Sequence, residues 1–164
     1  MDAPVKLIAF DQSTRATGWC VMEMGTAQII ESGVILPNKN DDTIDRITYT
    51  IKRCLNLVRT HEVTFVFIEG VQVQRNPVVY EVLAKLAGTL EIMLYESGFL
   101  VNVVKASEWR KRVGVKSRKR ADVKKEAIDM VKELYDIEPS EDECEAILFA
   151  RAFSNLESND IFKK

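Results

Sequence analysis

The stretch IAFDQSTRATGW (residues 8–19) joins an apolar run to an acid and then to small polar residues. The apolar run begins at Val5 and reads VKLIAF, which is typical of a short strand covered on both faces. Asp11 follows directly, at the carboxyl edge of the strand, where open α/β sheets place their ligands. Two interpretations of Asp11 are open at this point. It belongs either to a phosphate-binding loop of a nucleotide-binding enzyme or to the metal-binding carboxylates of a nuclease.

Four further segments have the composition of strands. Residues 18–24 and 27–35 flank a turn at Gly25, and with the first strand they form a plausible antiparallel meander. Residues 63–68 (VTFVFI) are a second short apolar run, and residues 99–104 (FLVNVV) predict a fifth strand. The sequence therefore predicts a five-stranded sheet.

Apolar residues spaced three and four apart predict the helices. The first helix carries such a stripe at Ile44, Ile47, Ile51, Leu55 and Val58. A second is predicted over residues 77–97, a third over 120–135 after a loop centred on Gly114, and a last one from Ser140. The resulting order, βββαβαβαα, predicts an α/β fold in which helices sandwich a mixed five-stranded sheet, the ribonuclease H-like architecture. A fold alone does not fix a function.

The length and composition fit one globular domain. The 164 residues predict a single domain over 1–164, with the last eight or so, by rough estimate, as a tail. No apolar run approaches the roughly 20 residues of a membrane span, and the start MDAPVKL does not read as a signal peptide. Cys20, Cys54 and Cys144 form no CxxC pair and predict neither disulfides nor a zinc site. We expect a reducing, cytoplasmic setting and no membrane partner.

Positive charge is concentrated in one part of the chain. Residues 105–125, the basic segment, contain ten Lys or Arg and two acids, a balance of +8, whereas the whole chain carries −2 and the remainder therefore −10. Such segregation favours a face that binds a polyanion over an ordinary solvated helix surface. The cations are Lys105, Arg110, Lys111, Arg112, Lys116, Arg118, Lys119, Arg120, Lys124 and Lys125.

Three more acids accompany Asp11 at positions where burial normally excludes charge. Glu69 follows the apolar run 63–68, and Asp142 and Glu145 lie at the start of the helical stripe that faces the core. The neighbouring Ser140 and Glu143 have the spacing of a capping box.

Each acid alone has an ordinary structural explanation, such as capping a turn or pairing with an arginine. Together, several buried carboxylates repel one another unless a positive ion lies between them. Mg²⁺ prefers hard oxygen ligands, and two such ions activate water and stabilise the leaving oxygen in phosphodiester hydrolysis. The four acids, beside the basic segment, therefore favour a two-metal site that takes Mg²⁺, with Mn²⁺ as the alternative.

These residues resemble the motifs of RuvC-type Holliday junction resolvases. IAFDQSTRATGW resembles the first motif, FIEGVQVQRN the second, and EDECEAILFA the third, in the same order and over nearly the whole chain. The resemblance implies a homodimeric, Mg²⁺-dependent endonuclease that cuts four-way DNA junctions by paired nicks, with no nucleotide cofactor. It is compatible with a phage-like member acting in a bacterial cell or a phage-infected host.

Carried over by position, the resemblance implies roles for individual residues. Asp11, Glu69, Asp142 and Glu145 would hold the metal ions. Arg110 or Lys111, together with Lys124, would bind phosphates or stabilise the transition state. The long second helix would form the dimer interface.

Other polar residues are candidate contacts to the DNA backbone. They are Arg75, Asn76 and the remaining cations Lys105, Lys116, Arg118, Lys119, Arg120 and Lys125. Trp109 is interpreted as an anchor of the basic segment on the core rather than as a surface on which a base stacks.

Two positions depart from the family pattern. Glu145 stands where members often have Asp, and Gln72 stands where they often have an aromatic residue suited to the junction centre. Gln72 therefore predicts that the enzyme cuts a broader range of branched DNAs than four-way junctions alone.

Three rival functions remain open on the sequence. An actin-like or sugar-kinase ATPase would use DQST as a phosphate loop, but such proteins need a second, repeated lobe that this chain lacks. A non-catalytic junction-binding protein gains nothing from acids that repel phosphate. A nuclease of the same architecture acting on RNA or RNA–DNA hybrid is not excluded by any residue pattern.

Overall fold

The computed structural model of the chain describes residues 2–155, and the predicted C-terminal tail lies outside them. The strands are β1 (Lys6–Asp11), β2 (Thr17–Glu23), β3 (Ile29–Ile35), β4 (Phe65–Glu69) and β5 (Leu100–Val104). The helices are α1 (Thr43–Thr60), α2 (Pro77–Glu96), α3 (Ala106–Val113), α4 (Arg120–Tyr135) and α5 (Glu141–Ser154). None of these helices is long and apolar enough to cross a membrane.

The five strands form one mixed sheet in the order β3-β2-β1-β4-β5. β1, β2 and β3 pair antiparallel, which confirms the predicted meander. β1 and β4 are parallel neighbours, and β4 pairs parallel with β5. The carboxyl ends of β1, β4 and β5 therefore meet at the same edge of the sheet, and this edge carries Asp11 and Glu69.

Helices cover both faces of the sheet, so the predicted α/β sandwich is confirmed. Leu7 and Ala9 of β1 face the core formed with α3, α4 and α5, whereas Ile8 and Phe10 face the core formed with α1 and α2. All four side chains are completely buried. This explains why the four residues of β1 between Lys6 and Asp11 are all apolar and do not alternate with polar residues.

One helix was not predicted. The sequence indicated a loop around Gly114 after β5, but residues Ala106–Val113 form the short helix α3, and Gly114 ends it in the left-handed conformation with φ 83°. The helix escaped prediction because Lys105 at its N-cap makes no side-chain capping bond and its outer face is highly charged. Trp109, completely buried, and Ala106 attach it to the core, so tertiary packing stabilises it.

The predicted capping box at the start of α5 forms only in part. The Ser140 hydroxyl accepts a hydrogen bond from the Glu143 amide at 3.4 Å, as predicted. The Glu143 carboxylate does not return to Ser140, because it accepts a 2.7 Å hydrogen bond from the Ser32 hydroxyl on β3. The first turn of α5 is therefore fixed to the sheet as well as capped.

Candidate active site

The four predicted acids lie at the edge where β1 and β4 end. Asp11 and Glu69 are the last residues of these neighbouring strands, and Asp142 and Glu145 lie in the first turns of α5, which packs across β1 and β2. Asp11, Asp142 and Glu145 each offer a carboxylate oxygen, and these oxygens lie within 4.8 Å of one another. All four acids line one cleft of about 710 Å³.

Gly18 allows α5 to approach the sheet at this point. It pairs with Asp11 across the β1–β2 ladder, and its α-carbon lies against the first turn of α5. A β-carbon at residue 18 would overlap the backbone carbonyl of Asp142 and would lie 3.3 Å from the β-carbon of Ala146. The absence of a side chain at Gly18 thus brings Asp142 close to Asp11.

Gln12 fixes the two strand ends to each other, and sequence reasoning missed this role. Its side-chain carbonyl accepts a 3.1 Å hydrogen bond from the Glu69 amide, and its side-chain NH₂ donates to the Glu69 carbonyl. The pair of bonds mimics one more rung of the parallel ladder beyond Asp11. The only signal in the sequence was the position of a long amide side chain directly after the strand-ending acid.

The Glu69 carboxylate is oriented by α3. The indole N–H of Trp109 donates a 2.9 Å hydrogen bond to Oε2 of Glu69, and the indole stacks on Phe149 of α5 with ring centroids 5.7 Å apart. The prediction of Trp109 as a buried anchor is therefore confirmed, and the hydrogen bond adds a role that the sequence did not suggest. The adjacent Arg110 places its guanidinium 3.5 Å from the Glu145 carboxylate.

Burial and mutual repulsion perturb the acids. The pKa of Asp11 is raised well above its ordinary value, first by burial and then by the negative charges of Glu69 and Glu145 and a hydrogen bond with Glu145. Burial also raises the pKa of Glu69, although the Trp109 hydrogen bond and the charge of Arg110 oppose that rise. The site therefore disfavours its own negative charge, and a cation between the carboxylates would relieve this.

The structure separates the predicted cations into two groups. Arg110, Arg118, Arg120 and Lys124 line the cleft with the acids. Lys124 makes a 3.0 Å ion pair with Glu141, and this hydrogen bond is the main reason why its pKa is raised. These four side chains therefore lie where they could contact a ligand bound by the acids.

The other predicted DNA contacts do not line this cleft. Asn76 caps α2 by accepting a 3.0 Å hydrogen bond from the Val78 amide. The remaining side chains are exposed on the surface outside the cleft lining: Arg75, Lys105, Lys111, Lys116, Lys119 and Lys125. They are free to contact a polyanion that extends beyond the acids.

The comparisons with known proteins decide the family. A sequence profile described as Crossover junction endodeoxyribonuclease RuvC matches residues 7–151, most of the chain and all four acids. The chain belongs to the RuvC family. As a RuvC-family protein it is a crossover junction endodeoxyribonuclease, and this outcome does not favour the ATPase, RNA-directed or binding-only alternatives. Comparison with curated protein sequences gives no significant match.

Solved structures share the fold at low sequence identity. RuvC of T. thermophilus in complex with a Holliday junction substrate has a TM-score of 0.73 and 13% identity, over 90% of this chain and 91% of that one. The Fowlpox virus resolvase in complex with Holliday junction DNA has a TM-score of 0.59 and 13% identity, over 92% and 94%. The yeast mitochondrial Holliday junction resolvase has a TM-score of 0.62 and 13% identity, over 94% and 79%.

Proposed function

We propose that this RuvC-family nuclease resolves four-way DNA junctions by paired nicks, with two Mg²⁺ ions held by Asp11, Glu69, Asp142 and Glu145. The observation that carries the proposal is the meeting of three carboxylate oxygens within 4.8 Å of one another, in a cleft with basic residues on its wall. Mn²⁺, which takes similar ligands, is the alternative metal.

The donor set fits divalent cations with hard oxygen ligands. The four acids offer only carboxylate oxygens, and no histidine or cysteine is among the described residues that line the cleft. Burial raises the pKa values of Asp11 and Glu69, the charges of neighbouring acids add to the rise, and the charge of Arg110 opposes it at Glu69. Bound ions would supply positive charge, lower the barrier to deprotonating the attacking water and neutralise the leaving oxygen.

The surrounding residues would orient the ligands and the DNA. Trp109 and Gln12 hold the side chain and the backbone of Glu69, so that this acid keeps its direction. Lys124 and Arg110 would exchange their present partners, Glu141 and Glu145, for phosphate oxygens. Arg118 and Arg120 would bind phosphates in the cleft. The remaining candidates would bind the flanking backbone: Arg75, Asn76, Lys105, Lys111, Lys116, Lys119 and Lys125.

Branched DNA is the substrate supported by the relatives. Two structural neighbours were solved with Holliday junction DNA. In this chain Gln72 lines the cleft on the loop that follows Glu69, without an aromatic ring to stack at the junction centre. We therefore expect forks and three-way branches to be cut as well. Such DNA occurs in the cytoplasm of a bacterial or phage-infected cell, where we place the activity.

A homodimer through α2 would supply the two active sites that paired nicks require. The outward face of α2 carries Val78, Ile92 and Tyr95, which are 66%, 63% and 72% exposed. On the same face a β-carbon at Gly88 would meet no atom within 4 Å, so this glycine is not needed for packing inside the protomer. We propose that two copies of one nuclease domain, residues 1–164, pair along this face.

Cleavage of labelled DNA tests the proposal. A four-way junction, a three-way fork and a linear duplex are incubated with the protein in Mg²⁺, in Mn²⁺ and in Ca²⁺. We expect paired nicks near the branch with Mg²⁺ and none in the linear duplex. Asp11→Asn and Glu69→Gln should abolish cutting and leave junction binding equal or stronger, because negative charge near phosphate is removed.

Asp129→Asn is the matched control, because Asp129 is exposed on α4 and does not line the cleft. Normal cutting by Asp11→Asn and Glu69→Gln would refute the metal site. Absence of cutting by the wild-type protein with every metal would refute the proposed activity.

A further inference from the structure

Arg46 of α1 is a cation in the active-site cleft that belongs to neither the acidic motifs nor the basic segment. It lines the cleft together with Thr43, Ser13 and Thr14. α1 packs on the face of the sheet opposite to α3, α4 and α5, so Arg46 approaches the acids from the other side than Arg110 and Lys124. We propose that Arg46 binds a phosphate of the cleaved DNA strand on this α1 side.

The guanidinium of Arg46 has few partners in the protein. Its one hydrogen bond within residues 2–155 is donated to the Thr43 hydroxyl at 3.3 Å. Its Nε–H is buried and has no hydrogen-bond partner there. Arginine carries five N–H donors and no acceptor, so most of this donor capacity is unused.

No carboxylate among residues 2–155 forms an ion pair with Arg46 within 4.0 Å. Asp42, the N-cap of α1 four residues earlier, does not pair with it either. Arg110, by contrast, already contacts Glu145. A partly buried arginine without an anion is an unusual arrangement, and it is resolved if the anion is a ligand of the cleft.

The chemistry of that ligand follows from the cleft. The four acids repel any small anion unless metal ions neutralise them, whereas a DNA strand held at the metal ions brings further phosphates with it. Neighbouring phosphates lie on either side of the cleaved one, and a planar guanidinium binds phosphate oxygens in pairs. A phosphodiester beside the cleaved bond is therefore the group that suits Arg46.

The inference rests on the proposed cleavage of branched DNA and adds a contact on the side of the sheet that sequence reasoning left without cations. A purely structural role for Arg46 is the competing explanation. It predicts loss of stability on substitution without a change in the salt dependence of DNA binding. A phosphate contact predicts a smaller salt dependence of DNA binding on substitution, without a loss of stability.

Binding of a labelled four-way junction in Ca²⁺ tests the assignment, with gels confirming that the DNA remains intact. The dissociation constant is measured between about 50 and 200 mM salt for wild type, Arg46→Gln, Arg46→Lys and Arg53→Gln. Arg53 is the matched control, because it lies exposed on the same helix and does not line the cleft. Melting temperatures of all four proteins are recorded alongside.

We expect Arg46→Gln to weaken binding about tenfold and to reduce the slope of log K against log salt by about one. Arg46→Lys should keep the slope, because it keeps the charge, and weaken binding less. Arg53→Gln should match wild type in both. An unchanged affinity and slope for Arg46→Gln, or a lowered melting temperature with an unchanged slope, would overturn the assignment.

The two proposals fail in different ways. If wild type cuts junctions and Arg46→Gln binds and cuts them equally well, only the proposed phosphate contact is refuted. If wild type neither binds nor cuts junction DNA, both the proposed function and the phosphate contact are refuted.

Discussion

The α-carbon of Gly18 on β2 lies against the backbone carbonyl of Asp142, so closely that no side chain fits between the sheet and the first turn of α5. Asp11 pairs with Gly18 across the β-ladder, and the contact therefore sets the separation of two of the proposed metal ligands. A glycine at the start of a strand thus controls the geometry of the site.

Gly18→Ala should displace the start of α5. Because the added β-carbon meets backbone atoms that cannot turn away, we expect a loss of about 1–3 kcal/mol in the free energy of unfolding and a much larger relative loss of cleavage. Chemical denaturation and junction-cleavage rates measure the two effects. Gly88→Ala is the matched glycine control for packing within one protomer, since its β-carbon meets nothing within 4 Å there and should not lower the free energy of unfolding of a single copy. Full activity of Gly18→Ala would show that the spacing is not critical.

Trp109→Phe should keep the stacking on Phe149 but remove the N–H donor to Glu69. The hydrogen bond holds the pKa of Glu69 down, so its loss should raise that pKa further and move the acid limb of the pH–rate profile to higher pH. We also expect a higher Mg²⁺ concentration for half-maximal cleavage. Trp19→Phe, in the core on the other face of the sheet, is the control for loss of an indole alone. Equal pH profiles for the two variants would contradict an orienting role.

Lys124 and Lys125 should differ sharply on substitution, although the sequence does not separate them. Lys124 lies at the cleft in an ion pair with Glu141, whereas Lys125 is exposed and does not line the cleft. Lys124→Ala should slow single-turnover cleavage by about tenfold or more and weaken junction binding in a salt-dependent way. Lys125→Ala should leave the rate nearly unchanged. Equal rates for the two variants would remove Lys124 from the proposed machinery.

Asp11→Asn should stabilise the metal-free protein at neutral pH. Folding raises the pKa of Asp11 above its ordinary value of 3.8, so the folded state binds more protons than the unfolded state. The free energy of unfolding therefore falls as the pH rises from 3.8 through the raised pKa. Asp11→Asn has no carboxyl group to ionise and does not lose this stability. Each kcal/mol by which its free energy of unfolding exceeds that of wild type should raise the melting temperature by about 2–4 °C. Thermal unfolding in EDTA from pH 4 to about pH 8 measures the difference, which should grow with pH through the range between the two pKa values. Saturating Mg²⁺ should stabilise wild type more than the variant, and a constant difference at all pH values would contradict the effect.

Ile92→Glu should disrupt the proposed dimer without unfolding the protomer. Ile92 is 63% exposed on the outward face of α2, so the substitution buries no charge within one chain. Light scattering coupled to size-exclusion chromatography should show a change from dimer to monomer, and paired nicks should give way to single ones. Ile44→Glu, at 60% exposure on α1, is the matched control and should remain dimeric. A wild type that is monomeric at all concentrations would refute the α2 dimer.

The sequence predicted the sheet and the position of the acids at its edge, because both leave local signals. The strands ending at Asp11 and Glu69 carry apolar runs that stop at an acid, and the α5 stripe carries Asp142 and Glu145 on its inner face. The contacts that join these elements left weaker signals. Helix α3 depends on burial of Trp109, and Gln12 acts through a neighbour 57 residues away in sequence. Arg46 looked like an ordinary polar residue on an amphipathic helix, because its isolation from acids exists only in three dimensions.

Helix α3 connects the basic segment to two of the four acids. Trp109 and Arg110 are consecutive, yet one contacts an acid on β4 and the other an acid on α5. The helix that carries them is the first part of the basic segment. Under the proposed function, a DNA backbone bound to this segment would act through α3 on two carboxylates at once. Strain imposed by the shape of the bound branch would reach the cleavage chemistry through α3, so a poorly fitting DNA would misalign both acids together.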